Sequence, residues 1–131
     1  MEARLARIEP RRLTEEQRRA ITANLSGTPG GNMRVSHEGT CPDCNQYASD
    51  FASILQNIPG WNVSNGMFIG PGRRASTGIG ITFATQSHPM AVALMGALRA
   101  AQIPFDVMQQ IPAAALQQQG IDVEFAIMAK P

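Results

Sequence analysis

The sequence predicts an α/β domain with two βαβ units on one mixed sheet of about five strands, plus an N-terminal helix. Three observations carry this. A strand–helix–strand pattern occurs from Met33 to Met67 and again from Gly78 to Met108, each unit with the length of a βαβ crossover. Between Asp43 and Gln56 the apolar residues Cys44, Tyr47, Ala48, Phe51, Ala52 and Leu55 keep helical spacing throughout. The third is size: 131 residues, 44% hydrophobic and 16% charged, suit a single domain with one core.

Taken in order, "ARLARIE" at 3–9 places Leu5 and Ile8 at helical spacing and stops at Pro10, as the tail of a longer helix would. A new helix starts after Thr14. Thr14 and Gln17 have capping-box spacing, Glu15 and Glu16 suit the positive end of the helix dipole, Ile21 and Leu25 form a narrow apolar stripe, and Gly27 supplies the stop. Residues 1–12 therefore read as the end of a longer helix or a linker, and 13–131 as the domain.

"MRVSH" is a short strand leading to "GTCPDC" and the 43–56 helix, which Pro59 and Gly60 close. "WNVSNGMFI" follows as a strand, with Trp61, Val63 and Met67 expected to alternate inward. "GPGRRASTG" is a polar loop and "IGITFAT" a strand. His88 and Pro89 open a helix, "MAVALMGALRAAQ", apolar on almost every side and so in need of cover from a second helix or a partner chain. "PFDVMQQ" is a strand, "PAAALQQQG" a short helix ending at Gly120, and "VEFAIMA" a last strand.

Strand order is open at this level. A ferredoxin-like sheet pairs the second and third strands as a hairpin; a flavodoxin-like one needs the 70–78 loop to run the length of the sheet, so the mixed arrangement is favoured. The N-terminal helix and the last strand are expected to be additions to either.

The order of "RRLTEEQRRAITANL", "CNQYASDFASILQNIPGW", "GIGITFA", "GALRAAQI" and the closing "FAIMAKP" resembles the soluble C-terminal domain of small bacterial proteins of unknown function that begin with membrane-spanning and coiled-coil segments. The similarity covers nearly the whole chain, on patterning motifs and not catalytic ones. It implies that the 3–9 helix ends a membrane-proximal coiled coil and that the natural chain can begin upstream of Met1. No catalytic residue is carried over, and the family pattern does not require both Cys41 and Cys44.

Charge and cysteine content exclude some classes. The net charge is +1, and although six of the eleven basic residues fall among the first nineteen, they alternate with Glu2, Glu9, Glu15 and Glu16, which reads as a solvated helical surface and not a nucleic-acid arm. Two cysteines do not make a disulfide scaffold. No apolar run is long enough to span a membrane.

The candidate chemistry is sparse. Cys41 and Cys44 form a CxxC at a helix start, where the dipole would favour a reactive thiolate with Cys41 as nucleophile and Cys44 as resolving thiol. Against it, Pro89 opens a helix where a thioredoxin-like site needs a proline opening a strand, Asp43 would raise a neighbouring thiol pKa, and Cys44 fits the helix core stripe. A zinc site from His37, Cys41, Cys44 and His88 would need both strand ends to meet at one sheet edge and matches no zinc spacing. Arg73, Arg74, Ser76 and Thr77 could cradle a phosphate ligand, or simply line an exposed connection. No Ser-His-acid triad or carboxylate pair can be assembled.

The leading expectation is a non-catalytic module acting through protein or small-ligand contacts, with no cofactor, no nucleic-acid partner, a homo-oligomer contact through the apolar helix "MAVALMGALRAAQ" as one option, and membrane association only through a segment this chain does not contain. A thiol-disulfide oxidoreductase and a phosphate-ligand binder are the alternatives.

Overall fold

The strand that the polar cysteine motif follows is central to the left half of the sheet. In a computed structural model, which describes residues 10–68, 75–84, 88–108 and 113–129, β1 (Gly31–Glu38) pairs on one side with β2 (Trp61–Phe68) and on the other with β5 (Val123–Ile127), both parallel. β3 (Ile79–Phe83) is antiparallel to β5 and parallel to the two-residue β4 (Asp106–Val107). The sheet order is β2-β1-β5-β3-β4.

This is the mixed five-stranded sheet expected, with one correction. The last strand is no addition: β5 is the central strand that joins the two βαβ units, and neither a β2–β3 hairpin nor an all-parallel order is formed. The physical reason lies in its composition. Val123, Phe125 and Ile127 fill one face and Ala126 and Met128 the other, so the segment is apolar on both sides, as a doubly covered central strand must be. Glu124, the one charge within it, is paired with Arg34 of the neighbouring strand.

Three helices share the main core on one face: α1 (Glu15–Leu25), α2 (Cys44–Leu55) and α3 (Pro89–Ala100). The fourth, α4 (Ala113–Gln118), buries Leu116. α1 starts as its sequence predicts: Gln17 N–H donates to Thr14 Oγ1 and Thr14 N–H donates to Gln17 Oε1, both at 3.0 Å. Gly27 beyond its end takes φ +78°, the left-handed conformation that closes a helix at little cost only for glycine. Ile21 and Leu25 are fully buried with Met90, Leu94 and Leu98, so the second apolar side of α3 is covered by α1. α2 is locked onto the central strand by edge-on rings, Tyr47 on Phe51 at 4.9 Å and Phe51 on Phe125 at 4.8 Å. Each such pair adds about 0.5–1.5 kcal/mol beyond area burial.

α3 is capped by a histidine. Met90 N–H donates to His88 Nδ1 at 3.1 Å, and Pro89 occupies the first turn, where it costs no hydrogen bond. The Met67 expectation fails: Met67 is 62% exposed, because β2 is an edge strand of which only Trp61 reaches the core fully. The 3–9 helix and most of the 70–78 loop, Arg73 and Arg74 included, lie outside the described residues. No described helix is long and apolar enough to cross a membrane.

Candidate functional site

The chain leaves β1 at Glu38, turns through Gly39 and Thr40, and enters α2 at Cys44, which sets Cys41 and Cys44 one turn apart at the carboxyl end of β1. They are joined as a disulfide, with Cα atoms 5.4 Å apart. Cys41 is 8% exposed and Cys44 not at all, and both belong to the main core. Asp43 stands at the cap position of α2, yet its carboxylate makes no cap bond to the helix. It turns outward to a cation instead.

That cation is Arg11. Its Nε donates to Asp43 Oδ2 at 2.9 Å, its Nη2 to Oδ1 at 3.0 Å, and its backbone N–H also to Oδ2 at 2.9 Å. The same Nη2 lies 3.0 Å from the Met128 carbonyl oxygen, 3.3 Å from Cys44 Sγ and 3.7 Å from Cys41 Sγ. Its guanidinium carbon sits 5.1 Å from the centre of the Tyr47 ring, a cation–π contact. Arg11 thus roofs the disulfide and ties the N-terminal segment to α2 and to the end of β5. Its side chain is only 17% exposed, which corrects the reading of the N-terminal arginines as a solvated helical face for Arg11, whereas Arg19 is 79% exposed on the helix and paired with Glu15 as that reading expects. The reason is positional: Arg11 and Arg12 precede the Thr14 cap and lie outside the helix, so helical spacing does not govern where their side chains go.

Arg12 goes to a second acid. Asp50, its side chain 3% exposed, accepts from Arg12 Nε at 2.8 Å, Arg12 Nη2 at 3.2 Å, Leu13 N–H at 3.1 Å and Gln46 Nε2 at 3.3 Å, and Arg18 Nη2 lies 3.3 Å away. Asp43 and Asp50 are seven residues apart, two helical turns, so they share a side of α2 and receive the two consecutive arginines.

These contacts set the charge states. Asp43 is held below the usual carboxylate range, first by the Arg11 side-chain hydrogen bonds, against the opposing effect of burial. Burial is the largest influence on Asp50 and works to raise it, but the Arg12 hydrogen bonds, the Leu13 N–H, Gln46 and the Arg12 charge together bring it below its ordinary value. Burial raises the Tyr47 phenol, with Arg11 opposing. The Asp43 charge that was expected to disfavour a neighbouring thiolate is paired with Arg11.

The four-ligand zinc arrangement does not form. Among the described residues the metal-ligating group is Cys41, Asp43 and Cys44, whose donor atoms lie within 4.8 Å of one another, and neither histidine joins it. His88 caps α3 beside Gly31, with its Cε1 3.2 Å from where a Gly31 Cβ would stand, whereas the cysteines follow the other end of β1. Seven residues of strand separate those ends by roughly 20 Å.

Ser76 and Thr77 are engaged elsewhere. Thr77 N–H and Oγ1 donate to Asp106 Oδ2 at 3.1 and 2.9 Å, and Ser76 Oγ donates to the same oxygen at 3.3 Å. Thr77 N–H first, then its hydroxyl, hold the Asp106 carboxyl below its ordinary range. A carboxylate so placed occupies the donors that a phosphate would need.

Sequence reasoning found the two cysteines but missed Arg11, Asp43 as its partner, Asp50 and Tyr47 as a ring under the cation. One signal was available: Asp50 is a charge set directly against the apolar stripe of α2, next to Phe51 and one turn from Tyr47 and Ile54, and such a residue needs a partner. The source of the partner was not encoded in any local pattern. No protein-family profile, curated protein or solved structure matches this chain.

Proposed function

We propose that this chain is a non-catalytic α/β module, the soluble part of a membrane-anchored bacterial protein, acting through contacts with a protein or a small ligand. In this reading the Cys41–Cys44 pair is a staple that holds the incoming N-terminal segment against the domain. The observation that carries it is the burial of both sulfurs beneath Arg11 and Asp43. Rapid exchange with a protein substrate needs a sulfur that a bulky thiolate can reach in line, and with Cys44 fully buried and Cys41 only 8% exposed the pair presents little surface for one.

The test is turnover. Incubated with a disulfide substrate and a dithiol, the oxidised protein should catalyse no reduction above the uncatalysed rate. Multiple turnovers that vanish in Cys41→Ser would replace this reading with the second one. The anchored context is supported only by the resemblance of the sequence, and is tested separately by fractionating the full-length protein, which should sediment with membranes.

A thiol-disulfide oxidoreductase is the second reading, favoured by one contact: Arg11 Nη2 within 3.3 Å of Cys44 and 3.7 Å of Cys41 would stabilise a thiolate in the reduced form. Cys41 would attack the substrate disulfide, and Cys44 would then displace the substrate thiol from the mixed disulfide, leaving the present bond. Two electrons pass to the substrate, which leaves with two protons as a dithiol. An acid-shifted thiol in a pH titration of alkylation rate would favour it. Phosphate-ligand binding at Arg73, Arg74, Ser76 and Thr77 is the third reading, and would require Ser76 and Thr77 to give up Asp106.

A further inference from the structure

The position of Arg11 Nη2 is unusual in its number of acceptors. An amino nitrogen with two hydrogens is surrounded by Asp43 Oδ1 and the Met128 carbonyl at 3.0 Å each, Cys44 Sγ at 3.3 Å and Cys41 Sγ at 3.7 Å, while the other terminal nitrogen, Nη1, is buried with no partner. Four electron-rich atoms converge on one point from two segments of the chain, 41–44 and Met128. Such a point rewards concentrated positive charge more than directed hydrogen bonds.

Reduction changes the charge there. Breaking the Cys41–Cys44 bond with two electrons and two protons, supplied by a dithiol that itself becomes a disulfide, leaves two thiols in a group that already contains the Asp43 carboxylate. A divalent cation bound by both sulfurs would take the place of the two thiol protons, so that its charge balances two thiolates while Arg11 balances Asp43. The donor atoms lie within 4.8 Å of one another, and closing on one ion at about 2.3 Å for sulfur and about 2.1 Å for oxygen requires the disulfide to be broken and Arg11 Nη2 to withdraw from between them.

We propose that the reduced protein binds a borderline or soft divalent cation, zinc or cadmium, through Cys41 Sγ, Cys44 Sγ and an Asp43 carboxylate oxygen. The fourth position faces the Met128 carbonyl. Arg11 remains on the other Asp43 oxygen as an outer partner that orients the carboxylate. The junction between β1 and α2 is then cross-linked in both redox states, by a disulfide when oxidised and by a metal when reduced. The inference is independent of whether the pair ever turns over.

The experiment uses the whole chain in both redox states. Protein reduced with a phosphine, which takes up the oxygen of water as the two thiols form, is titrated with cadmium chloride. A thiolate-to-metal charge-transfer band should grow to a break at one ion per chain, with two protons released per ion, and zinc should displace it. The oxidised protein should show neither. Cys41→Ser should abolish the band, Asp43→Asn should weaken binding at least tenfold, and His37→Ala should leave it unchanged. The proposal is overturned by no stoichiometric band in the reduced protein, by equal uptake in the oxidised protein, by retention of the band in Cys41→Ser, or by its loss in His37→Ala. Circular dichroism recorded alongside gives a further check: a reduced chain that has lost its helical signal before metal is added has no preformed site, and that result also overturns the proposal.

Discussion

Arg11 and Asp43 form a two-pronged ion pair, Nε to Oδ2 at 2.9 Å and Nη2 to Oδ1 at 3.0 Å, across 32 residues of sequence. Side chains this little exposed keep most of the strength of a charge-assisted bond, and the fork geometry is one that only arginine supplies. Arg11→Ala should therefore destabilise the domain by about 2–3 kcal/mol, because Asp43 is left without its main partner. Arg11→Lys should recover less than half of that. Urea denaturation of the three proteins checks both, and an Arg11→Lys stability equal to wild type would mean that charge alone matters.

Reduction should weaken the fold without undoing it. A disulfide closing a loop of only four residues restrains the unfolded chain little, so its loss should cost about 2 kcal/mol. The remaining ties at the same junction, Arg11 to Asp43 and Arg12 to Asp50, do not depend on the sulfurs. Denaturation midpoints with and without a phosphine reductant measure the difference. A reduced chain with no cooperative transition would show that the staple is indispensable.

A backbone contact between two turns gives a sharper test of packing. A Cβ built on Gly30 would stand 1.9 Å from the Gly60 carbonyl oxygen, so the entry to β1 and the entry to β2 touch backbone to backbone. Gly30→Ala must push the two strands apart and should cost about 3 kcal/mol or more, the upper range for overpacking. Gly60, at φ +84° with nothing nearer than 3.9 Å to its added Cβ, should lose only the conformational term of about 1–2 kcal/mol as Gly60→Ala. Thermal melts should rank the two in that order.

What the sequence disclosed follows from how local each signal is. The α1 capping box, the α2 stripe and the Pro89 start are each written within a single helix, and all three are present as read. The place of β5 was not, because pairing between residues such as Met33 and Val123 is fixed by the closing of two units on each other. Composition held a trace of it: five consecutive buried residues in β5 are the mark of a strand covered on both faces. At the site, the CxxC was visible and its roof was not, since the Arg11 contact depends on where an extended segment crosses a helix start 30 residues later.

The histidine cap of α3 is testable by shape-matched substitution. His88 Nδ1 takes the Met90 N–H at 3.1 Å, which is the work usually done by Ser, Thr, Asp or Asn. His88→Ala should cost about 1 kcal/mol, and His88→Asn, whose side-chain oxygen can reach the same amide, should restore most of it. Equal stabilities for the Ala and Asn variants would show that the imidazole contributes by packing and not by capping.

Acid should unfasten the N-terminal segment first. Asp43 and Asp50 both have folded-state pKa values below their ordinary ones, so the unfolded chain binds more protons than the folded chain in the acid range. By linkage, their stabilisation is fully present above the unfolded carboxylate pKa of about 4 and is lost as pH falls through the lower folded values. Stability measured in urea should therefore be flat near neutrality and fall steeply below about pH 4. Asp50 is the more buried of the two and accepts from both Arg12 and the Leu13 backbone, so Asp50→Asn should lower stability at pH 7 and flatten the acid limb together. At pH 2–3, where the wild-type carboxyl is itself being neutralised, the two proteins should converge to within about 1 kcal/mol. Parallel curves for wild type and Asp50→Asn across the whole range would mean that the acid limb arises elsewhere, with Asp43 and Asp106 next to be tested by the same substitution.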